Sequence, residues 1–295
     1  MRVAVLGGGI MGSGIAQICA GTGHVVWLLD VDDAALERAR ASISDSLDRF
    51  VHRERLTTSE RDATLARIQL TTDLTTAVSN AETVIEAVPE QLDLKQGLLA
   101  ETAELAPSTC LLATNTSQLS ITKLAAAVGD ASDRLVGMHF FNPPVLMTLV
   151  ELIAGLQTSP ETLDRAEEFA RGLGRETVVC RKDVPGFITT RCAVILRLEC
   201  LRMLEEGVAS AEDIDKALRL GFNHPMGPLE LGDLVGMDTF LRNADSLAEA
   251  HGERFRAPAV ARNMVAAGRY GRKTGHGFYD YDGEGRRIDP PSDAS

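Results

Sequence analysis

His139, Glu151 and Ser117 are the residues of this chain whose types and settings are suited to moving a proton. His139 stands near the end of the strand-like run RLVGMHFFNPP, and Asn142-Pro143-Pro144 forces a turn directly after it. LVELI follows. Alternation along an extended run turns Glu151 to the face opposite Val150 and Leu152. The turn and short spacer can bring the second run back beside the first, with Glu151 near His139. A carboxylate beside an imidazole fixes its tautomer and favours its protonated form. An imidazole so held is suited to accept a hydroxyl proton as a hydride leaves an alcohol. In LLATNTS the strand-like run stops at Thr114, which leaves Asn115, Thr116 and Ser117 at a strand's carboxyl end. Ser117 can donate a hydrogen bond to a substrate oxygen there. Singly, each has a plainer reading: a structural strand histidine, a surface-paired glutamate, a helix cap. Together they point to alcohol oxidation.

A departing hydride needs an acceptor, and the first residues supply its site. MRVAVLGGGIMGSGIA passes from a short apolar run, 3–6, into Gly7, Gly9 and Gly12 in G-x-G-x-x-G spacing. In that pattern Gly7 makes the tight turn, Gly9 lets the main chain approach a pyrophosphate, and Gly12 lets the helix pack close to its strand. The helix from Met11 to about Gly21 aims free N–H groups at the phosphate. The next strand, in GHVVWLLD, ends in Asp30, near the expected interval of about 20 residues for an acid that binds a ribose hydroxyl pair. Its charge repels a 2′-phosphate, so NAD is expected over NADP. The plainer alternative is a glycine-rich turn with Asp30 as a helix cap.

Positioning these groups requires an α/β frame. Strand candidates recur at 3–6, 25–29, 83–86, 111–114, 135–140, 149–153 and 177–180, with helical stretches between the early ones, as in a mostly parallel sheet covered by helices. Between Asp30 and Gln69 lies a long helical insert, about 33–68, in which Leu36, Ala39, Ile43, Leu47 and Phe50 recur at helix spacing. A second short helix is expected from near Ser59, with Ser59 and Asp62 as a capping pair. The hairpin reads either as a solvated decoration or as a flap over the ligand, with Arg53 and Arg55 supplying positive charge. Near Asp183 the character changes. KDVPGF is a turn, and 187–206 reads as a helix apolar over most of its circumference. Further helices follow in AEDIDKALRL, DTFLRNADSLAEA and APAVARNMVAAGR. The reading is a Rossmann-type α/β N-terminal domain at 1–183 and an all-α domain at 184–295, ending in a short polar tail. The apolar helix suits either a dimer interface or burial within its own domain.

Composition narrows the classes. The 295 residues carry 42 acidic against 30 basic side chains, a net charge of −12, which opposes non-specific nucleic-acid binding. No apolar run approaches the length that spans a bilayer. The first residues enter a strand directly, with no leader pattern expected. Five cysteines without a C-x-x-C pair read as free thiols in a reducing compartment, so a cytoplasmic location is expected. The six histidines show no metal-ligand spacing.

The blocks GGGIMGSGIA, VIEAVPE, NTSQLSIT, GMHFFNPP, LVELI, PGFITTR, HPMGPLEL, DLVGMDT and GRKTGHGFYDY together resemble the 3-hydroxyacyl-CoA dehydrogenases, in particular the short bacterial 3-hydroxybutyryl-CoA type, over nearly the whole chain. The resemblance implies reversible, NAD-dependent oxidation of a 3-hydroxyacyl-CoA to the 3-ketoacyl-CoA in fatty-acid metabolism. It also implies a helical C-terminal domain that dimerises and a cleft between the domains. His139 then matches the catalytic base and Glu151 its carboxylate partner. Ser117 matches the serine that touches the nicotinamide and the substrate hydroxyl. Gly7, Gly9, Ile10, Met11, Gly12, Asp30, Glu90, Lys95, Asn142 and Lys273 match cofactor contacts. Arg53 and Arg55 sit near the basic position that meets coenzyme A. The chain departs from the family at Thr190, where PGFITTR has threonine in place of an asparagine that helps to hold the reacting groups. Its hydroxyl can still hydrogen-bond but is shorter. A gulonate-type hydroxy-acid dehydrogenase and a non-catalytic NAD-binding protein are the competing readings.

Overall fold

The structure is a computed structural model that describes residues 1–288; the polar tail lies outside them. The chain divides into two compact units, Met1–Phe187 and Ile188–Ser295, so the division falls directly after Pro185-Gly186-Phe187.

The first unit alternates strand and helix: β1 (Arg2–Leu6), α1 (Ile10–Gly21), β2 (Val25–Leu29), α2 (Asp33–His52), α3 (Thr58–Ala66), β3 (Ile68–Thr71), α4 (Leu74–Val78), β4 (Thr83–Glu86), α5 (Leu92–Leu105), β5 (Leu111–Thr114), α6 (Ile121–Ala125), β6 (Leu135–Phe140), β7 (Leu149–Ile153), α7 (Pro160–Gly172) and β8 (Glu176–Cys180). The eight strands form one sheet in the order β3-β2-β1-β4-β5-β6-β7-β8. All neighbouring pairs are parallel except β6 and β7. Strands β4 and β5 are buried along their whole length, which is how strands covered on both faces read. Alternation on β1 divides the core. Val3 and Val5 pack with residues of α1, α2 and α7, whereas Ala4 and Leu6 pack with residues of α4, α5 and α6. The chain leaves β1 toward β2 and β3, then returns to β4 on the other side. The crevice at that reversal, outside the strands' carboxyl ends, is where such sheets take ligands.

Helix α2 buries Leu36, Ala39, Ile43 and Leu47 and is capped by the Asp32 carboxylate, which accepts the Ala35 N–H at 2.6 Å. The cap of α3 differs from the sequence expectation. Thr57, not Ser59, precedes the helix, and Glu60, not Asp62, completes a reciprocal capping box with it. Ser59 already lies inside the first turn, and the Asp62 carboxylate instead receives Arg61 at 2.9 Å. Strand β3, which begins where the stretch read as helical ends and is not among the expected strands, is a four-residue edge strand paired only to β2.

The second unit packs α8 (Thr189–Glu205), α9 (Ala211–Gly221), α10 (Pro228–Val235), α11 (Met237–His251) and α12 (Ala259–Ala266) around Leu198, Leu201, Leu229, Met237, Phe240 and Leu247. It adds a two-residue antiparallel ladder, β9 (Asp280–Tyr281) with β10 (Arg287–Ile288). This small departure from an all-helical unit is anchored by the buried Asp233. Its carboxylate accepts the N–H groups of Phe278 and Tyr279, both at 3.0 Å, and the Tyr281 hydroxyl at 3.1 Å. Among the described residues, no helix is long and apolar enough to cross a membrane.

Candidate active site

The antiparallel pairing of β6 and β7 sets His139 directly opposite Glu151. His139 Nδ1 lies 2.7 Å from Glu151 Oε2, with both side chains buried. Phe141 packs against the imidazole at a centroid distance of 4.5 Å and Phe187 at 6.1 Å, so the ring is clamped as well as hydrogen-bonded. With Nδ1 engaged by the carboxylate, Nε2 is the nitrogen left to exchange a proton with a substrate. The neighbouring strand end is tied to the same place. The Phe140 N–H donates to the Asn115 side-chain oxygen at 2.8 Å.

Ser117 follows β5 and is held by Glu90. One Glu90 oxygen, Oε1, accepts the Thr116 hydroxyl at 2.5 Å, the Ser117 N–H at 2.9 Å and the Ser117 hydroxyl at 3.3 Å. Behind it lies a fully buried ion pair, Lys95 Nζ to Glu86 Oε1 at 2.6 Å. Lys95 also donates to the Val88 carbonyl at 3.1 Å and lies 3.4 Å from Glu90 Oε2. Glu86 accepts the Thr114 hydroxyl at 2.6 Å and the Val88 N–H at 2.7 Å. The carboxyl ends of β4 and β5 are thus joined through charged side chains.

The glycine turn is built as tightly as its spacing suggests. Gly7 has φ +102°, and a Cβ on Gly12 would stand 1.7 Å from the Gly7 carbonyl oxygen. Larger residues fit neither position. Asp30 closes the turn, accepting the Gly8 N–H and the Val31 N–H, both at 2.7 Å. It does not cap α2, since Asp32 does.

Comparison with known proteins decides the family. Residues 2–184 match the family model of the 3-hydroxyacyl-CoA dehydrogenase NAD binding domain, and residues 186–281 match that of the C-terminal domain. The chain belongs to the 3-hydroxyacyl-CoA dehydrogenase family. It is 40% identical over 282 residues to a probable 3-hydroxybutyryl-CoA dehydrogenase of Deinococcus radiodurans, covering 95% of this chain and 100% of that one. It is 40% identical to the mitochondrial hydroxyacyl-coenzyme A dehydrogenase of Homo sapiens over 95% of this chain and 91% of the other. The crystal structure of (S)-3-hydroxybutyryl-CoA dehydrogenase from Ralstonia eutropha superposes with a TM-score of 0.91 at 42% identity, covering 95% and 99% of the two chains.

A 3-hydroxyacyl-CoA dehydrogenase of this family is an NAD-dependent oxidoreductase, and the first unit fits that cofactor. Helix α1 has no side-chain cap and no acidic residue in its first turn, so its leading N–H groups remain for an anion. A Cβ built on Gly9 meets nothing within 4 Å, which leaves the main chain open to a pyrophosphate. Ile10 and Met11 begin α1 beside it. On the hairpin, Arg53 and Arg55 line a groove of about 130 Å³ with Ser46, Arg49, Phe50 and Pro143. Asn142 is exposed and joined to Pro143 by a cis peptide bond. Thr190 and Lys273 belong to the second unit. Thr190 is the second residue of α8. Lys273 pairs with Asp238 at 2.5 Å. Burial works against ionisation of Asp238, but that lysine, the Thr239 N–H and Arg242 together hold its carboxyl below the ordinary range.

Two contributors are not singled out by the sequence reading. Glu86 ends an otherwise apolar run, and a charge in such a place signals a buried partner. Arg49 shares a helix face with Arg53 at i,i+4 spacing.

Proposed function

We propose that the enzyme interconverts a short-chain 3-hydroxyacyl-CoA, 3-hydroxybutyryl-CoA, and its 3-ketoacyl-CoA with NAD. The observation that carries the reading is the buried His139–Glu151 pair, 2.7 Å apart, on the sheet that holds the NAD loop. NAD, when bound, accepts the hydride. His139 takes the hydroxyl proton through Nε2 in oxidation and returns it in reduction. Glu151 keeps the tautomer and balances the imidazolium charge. Ser117 donates its hydroxyl hydrogen to the substrate oxygen. Arg49, Arg53 and Arg55 offer charge-assisted hydrogen bonds to the phosphates of coenzyme A. The naming of relatives as 3-hydroxybutyryl-CoA dehydrogenases supports a short acyl chain.

The assembly is read as a homodimer through the helical unit, in which Val208, Leu220, Phe222, Leu234 and Val235 are exposed. The five free cysteines, four of them buried, support a reducing compartment such as the cytoplasm.

The test is a series of 3-ketoacyl-CoA substrates with NADH, run beside gulonate with NAD. Acetoacetyl-CoA is expected to have the highest kcat/KM and gulonate no turnover. His139→Gln is expected to lower turnover by about 10²- to 10⁴-fold with NADH affinity unchanged. Full activity in that variant, or turnover of gulonate alone, would overturn the reading.

A further inference from the structure

The Glu86–Lys95–Glu90 cluster carries two negative charges and one positive charge at the end of β4. Glu86 and Lys95 are fully buried, whereas the Glu90 side chain is 30% exposed and turned to the Ser117 loop. The strand order places β2 and its Asp30 on one side of the reversal point and β4 and β5 on the other. A dinucleotide lies across that point. With its adenosine end at Asp30, its nicotinamide end comes over β4 and β5, beside Glu90 and Ser117. The oxidised nicotinamide ring carries one positive charge and the reduced ring carries none. Charge in this place therefore acts on the two forms differently.

We propose that Glu86 is a positioning residue that sets the cofactor's redox preference: by neutralising Lys95 it leaves the charge of Glu90 uncompensated, so the pocket favours the oxidised cofactor. The inference rests on the proposed placement of the nicotinamide beside Ser117. Lys95 without Glu86 would set a buried cation facing a cationic ring. With Glu86 ionised, the trio sums to one negative charge. Burial keeps the Glu86 and Lys95 charges from being screened by solvent ions as surface charges would be, whereas Glu90 is partly exposed and partly screened. Thr114 and Val88 supply the other hydrogen bonds that hold the Glu86 carboxylate. The ion pair is therefore built into the ends of both strands.

Glu86→Gln keeps the shape and removes one charge, and Thr114 Oγ can turn to accept from the new amide. NADH binding is read by its fluorescence and NAD by competition. The ratio Kd(NAD)/Kd(NADH) is expected to rise about tenfold, equivalent to ~1.4 kcal/mol. Thr114→Val removes a hydrogen bond to Glu86 without changing charge, and is expected to lower Tm while leaving the ratio as in wild type. An unchanged ratio in Glu86→Gln, or an equal shift in Thr114→Val, would sink the proposal. If Glu86→Gln does not fold, Glu90→Gln makes the same charge change at an exposed position. A rise of the ratio there sustains the proposal and a constant ratio overturns it. Failure of the placement itself looks different: His139→Gln would then retain full turnover, whatever the ratio does.

Discussion

At the scale of single residues, the carboxylates divide the work by what each accepts. Glu151 holds an imidazole, Glu90 holds a loop, and Asp30 holds the glycine turn through two backbone N–H groups. Asp30 still has lone pairs for a ribose hydroxyl pair, because each carboxylate oxygen accepts more than one hydrogen bond. Asp30→Ala removes both the turn's acceptor and the negative charge proposed to repel a 2′-phosphate. NADH affinity is expected to fall about tenfold or more, on the scale of one charge-assisted hydrogen bond. NADPH should lose less, so the preference narrows; direct titration of both cofactors measures it. Equal losses for the two would show that Asp30 only shapes the turn. These residues were legible because each stands in a spacing with chemical meaning: an acid after G-x-G-x-x-G, a histidine before Asn-Pro-Pro, a glutamate alternating in LVELI. Glu86 was not, because its role depends on Lys95, which only the return of α5 across the strand ends brings within 2.6 Å.

At the scale of elements, the buried strands and long helices were legible, since short continuous apolar runs and period-3.6 burial mark the sequence directly. The short pieces were not. Strand β3 has four residues, none of them fully buried, and exists because β2 offers it an edge. The ladder of β9 and β10 depends on Asp233, nearly fifty residues away in sequence for its Phe278 and Tyr279 bonds. The start of α3 shows how capping chemistry decides between adjacent candidates. Glutamate reaches back to the Thr57 N–H at 2.8 Å, whereas Asp62 has one methylene fewer and an arginine beside it. Thr57→Ala is therefore expected to cost about 1 kcal/mol, the usual value of a lost N-cap. That corresponds to a fall of roughly 2–4 °C in Tm for a unit of this size. Ser59→Ala, inside the helix, is expected to change Tm by much less. Calorimetry on the two variants separates them, and a larger loss in Ser59→Ala would restore the cap read from the sequence.

At the scale of the whole molecule, the alkaline limit of stability follows from what the sheet and its helices bury. Cys19 on α1 has no exposed surface, and burial pushes its thiol up to about 12 although Arg175 pulls the other way. In the unfolded chain a thiol titrates near 8.5. Below that pH both states hold the proton, and Cys19 gives no pH dependence. Between about 8.5 and 12 the unfolded state releases a proton that the native state keeps. Stability then falls with rising pH, at about 1.4 kcal/mol per pH unit for one such group. Cys110, pushed up to about 11 mainly by burial, adds in the same direction. The single tryptophan, Trp27, lies on β2 and reports the unfolding of the first unit alone. Urea titrations followed by its fluorescence should show unfolding free energy falling steeply from pH 8.5 to 10. In Cys19→Ala the lost methylene-sized volume lowers stability at pH 7. The further fall from pH 8.5 to 10 should be smaller than in wild type by about 2 kcal/mol. Parallel curves for the two proteins would mean that the Cys19 thiol ionises as readily in the folded unit as in the open chain, contrary to its burial against the sheet.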